Sequence, residues 1–194
     1  MWNLSSFSAC TTSFMIRLLD SKLLIPSVDS DSIPGGAIHR PRLHRLIVGL
    51  DIEWRPNNRF HDNPAATLQL CVDRRCLIFQ LIYSPQIPQS LFDFLNNRIY
   101  TFVGVGIHSD VEKLTEDYGL SVATTIDLLS LAADCDMIEL RNAGLKNLAR
   151  EVLGKEIEQP KRITMSRWDN EWLYPEQVQY ACIDAFFLLR LEGV

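Results

Sequence analysis

The sequence predicts a mixed α/β domain, and three observations carry that expectation. Short apolar runs with strand patterning come first, at residues 46–54, 67–72 and 76–83, with turn-forming residues between them. From about residue 88 onward, strand-like runs alternate with segments of helical spacing. The chain then closes on a long helix-forming stretch, PEQVQYACIDAFFLLRL. Antiparallel strands followed by a β-α-β-α alternation describe one central sheet of mixed direction flanked by helices.

At 194 residues, 47% of them hydrophobic, the chain can bury one substantial core. No apolar run approaches the roughly 18 residues that span a bilayer, so no membrane partner is expected. Cys10, Cys71, Cys76, Cys135 and Cys182 lack CxxC or Cys/His metal spacing and read as reduced, packed thiols of an intracellular protein, with Cys71 and Cys76 set to face each other across a hairpin. A formal charge of -5 argues against a general polyanion binder. Divalent cations held by acids would reverse the local field, so a nucleic-acid substrate remains open.

Residues 1–42 are rich in Ser and Thr, carry no acid before Asp20 and pass through the turn-rich SVDSDSIPGG. They read as an extension ahead of a domain at 43–194. With Arg17 as the only basic residue before Lys22, the extension lacks the make-up of a transit peptide, and nucleus or cytoplasm is expected rather than an organelle. LIVGLDIEW follows as a core strand. TLQLCV and CLIFQLIY, around the polar DRR turn, complete a three-stranded antiparallel meander. PQIPQSLFDFLNN is a helix with Pro88 near its start, and YTFVGVGI is a buried strand. SDVEKLTEDYG then reads as a helix opened by a Ser109/Glu112 capping box and ended by Gly119. TTIDLLSLA is a strand running into a helix, GLKNLAREVLG an amphipathic helix closed by Gly154, and the last helix starts with Pro175 in its first turn.

Certain acids break the pattern. In LIVGLDIEW the alternation of a strand places Gly49, Asp51 and Glu53 on one face, so two carboxylates lie side by side in a core strand. That arrangement is costly unless positive charge offsets it. Asp110 lies in the first turn of a helix, where the dipole favours an acid for ordinary reasons, but it also follows a buried strand, where open sheets place their sites. Asp184 sits mid-helix among apolar residues, with Tyr180 one turn earlier on the same face. It is either hydrogen-bonded to a packed tyrosine or part of a site. Asp127 reads as a strand end or helix cap, His61 as a loop residue and His108 as a polar loop residue at the mouth of a site. Trp168 and Trp172 are spaced as a helix face. Lys161, Arg162 and Arg167 form a modest basic cluster, either a solvated face or a phosphate guide.

Taken together, D-x-E at Asp51 and Glu53, Asp110 after a later strand, and Y-x-x-x-D at Tyr180 and Asp184 resemble the DEDDy 3′-to-5′ exonucleases. The likeness extends to VGLDIEW, TLQLCV, FVGVGIHSDVEKL, GLKNLAREVLG and MSRWDNEWLYPEQVQYACIDA, which are similar to successive blocks of Werner syndrome-type and ribonuclease D-like domains, with wording close to the small plant Werner-like exonucleases. Gln179 occupies the position at which the proofreading-type subgroup has a histidine. The resemblance implies an RNase H-like (DnaQ-like) fold. It also implies two divalent cations, Mg2+ or Mn2+, held by Asp51, Glu53, Asp110 and Asp184, and hydrolysis from the 3′ end of DNA or RNA to release nucleoside 5′-monophosphates. Tyr180 would orient a water, and Glu53 would contact that water or the terminal 3′ hydroxyl. Ile52, Trp54 and the segment around His108 would border the terminal nucleotide. The family's strand before D-x-E has no counterpart in residues 1–42. The competing expectation is a catalytically weak nucleic-acid-binding or partner-recruiting module on the same fold. Retention of all four acids and the tyrosine favours the enzyme.

Overall fold

Alternation within IVGLDIE makes β1 (Ile47–Glu53) a strand with two different faces: Val48, Leu50 and Ile52 are buried on one, while Gly49, Asp51 and Glu53 lie on the other. The computed structural model describes residues 47–72, 75–134, 137–140 and 142–191. The N-terminal extension with its linker, and Asp73 and Arg74 of the expected DRR turn, lie outside the described residues. β1 pairs antiparallel with β2 (Thr67–Val72), which pairs antiparallel with β3 (Arg75–Gln80). On its other side β1 runs parallel to β4 (Thr101–Gly104), and β4 runs parallel to β5 (Thr125–Asp127). The order β3-β2-β1-β4-β5 is the mixed, helix-flanked sheet of an RNase H-like fold.

Helices cover both faces. α1 (Gln89–Leu95) starts directly after Pro88, and with α2 (Ile107–Tyr118) it packs Leu91, Leu95, Ile107 and Leu114 against Leu50, Leu68 and Phe102. α3 (Leu128–Asp134) follows β5 without a break, and α4 (Leu145–Leu153) ends at Gly154 in the left-handed region, φ 60°. A four-residue turn, α5 (Lys161–Thr164), precedes α6 (Pro175–Leu191). α6 is apolar around most of its circumference because it is covered on two sides: Ala181, Cys182 and Ala185 meet Cys71, Cys76 and Ile78, while Leu188 and Leu191 meet Val103 and Leu148. Gln177 caps it from within: its Oε1 accepts from the Tyr174 amide at 2.9 Å. Among the described residues no helix is long and apolar enough to cross a membrane.

One glycine sets the distance between α6 and the sheet. A Cβ added at Gly49 would overlap the Ala185 carbonyl, so only glycine lets the helix lie this close to β1. That approach brings the residue before Ala185, Asp184, over the acid face of β1.

Several local expectations change. The Ser109/Glu112 capping box does not form, because Gly106, left-handed at φ 68°, turns the chain three residues earlier and the helix begins at the buried Ile107. His108 is therefore an exposed residue of the first helical turn rather than a loop residue. Trp168 and Trp172 share no helix face: they lie in the irregular segment between α5 and α6, Trp168 fully buried and Trp172 81% exposed. The third strand stops at Gln80, and Leu81–Tyr83 forms a 3-10 turn. Cys71 and Cys76 do sit directly opposite each other, as free thiols, and Cys182 of α6 lies against them.

Candidate active site

The acids meet where β1 ends, beneath the middle of α6. Carboxylate oxygens of Asp51, Glu53 and Asp184 all lie within 4.8 Å of one another. Asp51 and Glu53 are half-buried, and Asp184 is 4% exposed. Asp110 lies in the first turn of α2, the helix that packs on the opposite face of the sheet from α6. It stands outside the close trio, yet near enough that its charge acts on both Asp51 and Glu53. Beyond it, Asp127 at the end of β5 is a further negative neighbour.

Among the described residues no cationic side chain forms an ion pair with Asp51, Glu53, Asp110 or Asp184. Burial, and then the charges of Asp110 and Asp184, hold the Asp51 carboxyl well above the usual range. Burial and the three neighbouring acids push Glu53 up to about 10. Asp110 rises to about 7, through burial and then Asp127. Asp184 rises only to about 6, because hydrogen bonds from Tyr180 and Gln159 counter part of the burial effect. Tyr180 itself is raised above the ordinary phenol value by burial and by Asp184 and Glu53, so its hydroxyl keeps its proton.

The residues fit hard divalent cations. Every candidate donor is a carboxylate oxygen, the ligand type such ions prefer. Asp184 Oδ1 is buried with no hydrogen-bond partner, an arrangement that costs free energy in a protein and is relieved by a bound cation. The other oxygen, Oδ2, accepts a 2.7 Å hydrogen bond from Gln159 Nε2. The same amide lies 3.4 Å from the Tyr180 hydroxyl. Gln159 thus fixes how Asp184 presents its free oxygen.

Sequence reasoning singled out Asp51, Glu53, Asp184 and Tyr180, which the fold gathers, and Asp110, which it places beside them. It missed Gln159, whose only signal was a position shortly before the basic cluster. Asp127 proves to be both things foreseen for it: it ends β5, and its Oδ1 accepts from the Leu129 amide at 2.9 Å. Its nearness to Asp110 was not foreseen. Ile52 is 3% exposed in the core below α1 and α2 and does not border the site. Trp54 carries Lys113 Nζ 5.5 Å from its ring centroid, and Lys113 pairs with Asp117 at 3.2 Å. Asp117 Oδ2 in turn accepts from the Ala65 amide at 2.8 Å, and together these contacts fasten α2 to the segment after β1.

Residues 29–193 match a family model described as 3′-5′ exonuclease. A 3′-5′ exonuclease of Arabidopsis thaliana is 38% identical over 150 residues, covering 76% of this chain and 52% of its own length. The chain therefore spans about half of that relative. Two solved structures share the fold. They are the exonuclease domain of Aedes aegypti Nibbler, with a TM-score of 0.66 at 20% identity over 77% of each chain, and Escherichia coli RNase D, with a TM-score of 0.66 at 21% identity over 76% of this chain and 38% of that one.

Proposed function

The chain belongs to the 3′-5′ exonuclease family, and on that premise we propose that it is a metal-dependent enzyme removing nucleoside 5′-monophosphates from the 3′ end of DNA or RNA. The observation that carries the reading is the gathering of Asp51, Glu53 and Asp184, with Asp184 Oδ1 buried and unpartnered. Two Mg2+ or Mn2+ ions held by these acids and Asp110 would lower the pKa of a water and stabilise both the attacking and the leaving oxygen of an in-line displacement.

The chain's own residues have separable tasks. Tyr180 keeps its proton, so its hydroxyl orients the water rather than acting as a base. Glu53, last residue of β1, receives the water or the terminal 3′ hydroxyl. Gln159 holds Asp184 and Tyr180 in one arrangement. Kinship with the small plant Werner-like exonucleases is the finer assignment, supported by the identity with the Arabidopsis protein.

The test uses 5′-labelled single-stranded DNA, RNA and 3′-recessed duplex with Mg2+ or Mn2+, then with chelator. A ladder of shortened 5′-labelled products that needs metal and disappears in Asp51→Ala is expected. An unchanged substrate in every metal would refute the catalytic reading. Relative rates on DNA and RNA report whether the 2′ hydroxyl is accepted.

A further inference from the structure

A polyanion must reach a site crowded with acids in a chain of net charge -5, so some nearby surface has to attract it. The segment from Gln159 to Tyr174 starts at the site, since Gln159 bonds Asp184, and leads to the start of α6. It carries Lys161, Arg162 and Arg167, all exposed. Among the described residues Lys161 and Arg162 make no ion pair, whereas Arg167 and Arg55 share one acid, Asp169, at 3.4 and 3.1 Å. Asp169 and Glu171 are the segment's only acids, and two guanidiniums already face the first.

The same segment exposes large apolar side chains: Trp172 at 81%, and Met165 and Tyr174 at 63% each. Its backbone is not loose. Gln80 Nε2 donates to the carbonyls of Asn170 and Glu171 at 3.2 and 3.3 Å, and the hydroxyl of Tyr83 donates to the Asp169 carbonyl at 2.6 Å. Gln80 lies in one row of the sheet with Thr67 and Glu53, so the anchor of Trp172 is two strands, about 10 Å, from the acid strand. Trp168, fully buried, holds the segment from below with its indole N–H on the Thr164 carbonyl at 3.3 Å. A fixed segment that leaves a tryptophan and a tyrosine in water and also carries cations without an ion pair suits flat, anionic ligands.

The geometry points to Gln159–Tyr174 as a single-strand guide: Trp172 and Tyr174 stack on bases upstream of the 3′ terminus, and Lys161 and Arg162 receive the intervening phosphates. This inference rests on the exonuclease reading and names its preferred substrate form, a single-stranded 3′ segment, because bases within a duplex are already stacked on each other.

The experiment measures binding and chemistry separately. Fluorescence anisotropy of a labelled 12-nucleotide oligothymidylate, in chelator so that nothing is cut, gives affinity for the wild type, Trp172→Ala and Lys161→Ala/Arg162→Ala. Hydrolysis of the p-nitrophenyl ester of thymidine 5′-monophosphate in Mn2+ gives the chemistry of a substrate with no upstream strand. Trp172→Ala is expected to bind the oligonucleotide about tenfold more weakly. The double variant should flatten the dependence of log affinity on log salt by about 1.4. Both should hydrolyse the ester as the wild type does. Wild-type binding by both variants overturns the guide, and an equal loss on a blunt duplex overturns its single-strand preference. Weakened binding by the variants, in a protein that leaves the ester and the labelled DNA and RNA uncut in every metal, keeps the guide and refutes the exonuclease reading instead.

Discussion

Gln159 shows how much of the site depends on a residue without charge. It spans 25 positions of sequence to bond Asp184, and 21 to reach Tyr180. Removing its amide in Gln159→Ala leaves Asp184 Oδ2 free to rotate, and about a 10- to 100-fold loss in metal affinity or turnover is expected, the usual range for a group that orients a ligand. Tyr180→Phe should differ: turnover falls while the Mn2+ titration midpoint stays put, because only the water-orienting hydroxyl is lost. A shift of that midpoint in Tyr180→Phe, or none in either parameter for Gln159→Ala, would contradict these roles. Three of the four acids were legible in the sequence because each violates a burial rule, two in a core strand and one in the middle of an apolar helix, whereas Asp110 was marked only by its place after a buried strand. Gln159 violates none, being a polar residue in a polar stretch, and its meaning comes only from contact across the fold.

At the scale of elements, the acid cluster is a consequence of how closely α6 lies on β1. Gly49→Ala places a methyl against the Ala185 carbonyl, and either the strand or the helix must shift. A destabilisation of about 1–3 kcal/mol in urea unfolding is expected, with weaker Mn2+ binding in the protein that still folds. Full stability with unchanged metal affinity would mean that the close approach does not set the site. The strands and helices themselves were legible, since alternation marked the meander and helical spacing with terminal glycines marked α2 and α4. What failed was local chemistry overruled by packing. Ser109 and Glu112 spell a capping box, but burial of Ile107 and the left-handed Gly106 start the helix before it. The four-residue spacing of Trp168 and Trp172 suggests a helix, yet the hydrogen bonds of Gln80 and Tyr83 hold that segment as an irregular loop with one tryptophan inside and the other out.

For the whole molecule, the site makes stability depend on pH and on metal together. Carboxyls raised in the folded state retain protons that the unfolded chain gives up above about pH 4, so metal-free stability falls as pH rises from there. The loss runs through about 6 for Asp184 and about 7 for Asp110, and continues toward about 10 for Glu53. The melting temperature of the chelated protein should therefore drop between pH 5 and pH 8. Added Mn2+ should raise it more at pH 8, where the ligands give up their protons more readily. A chelated protein whose melting temperature is flat over that range would contradict the placement of the acids. If the four carboxylates are tolerated together because they hold cations, electron paramagnetic resonance of Mn2+ titrated into the protein at pH 8 will show two Mn2+ bound per chain, with spectra of two ions close to each other, and loss of that signal in Asp51→Ala and Asp184→Ala. Mn2+ that stays free in the wild type, or binds equally well to both variants, would contradict it.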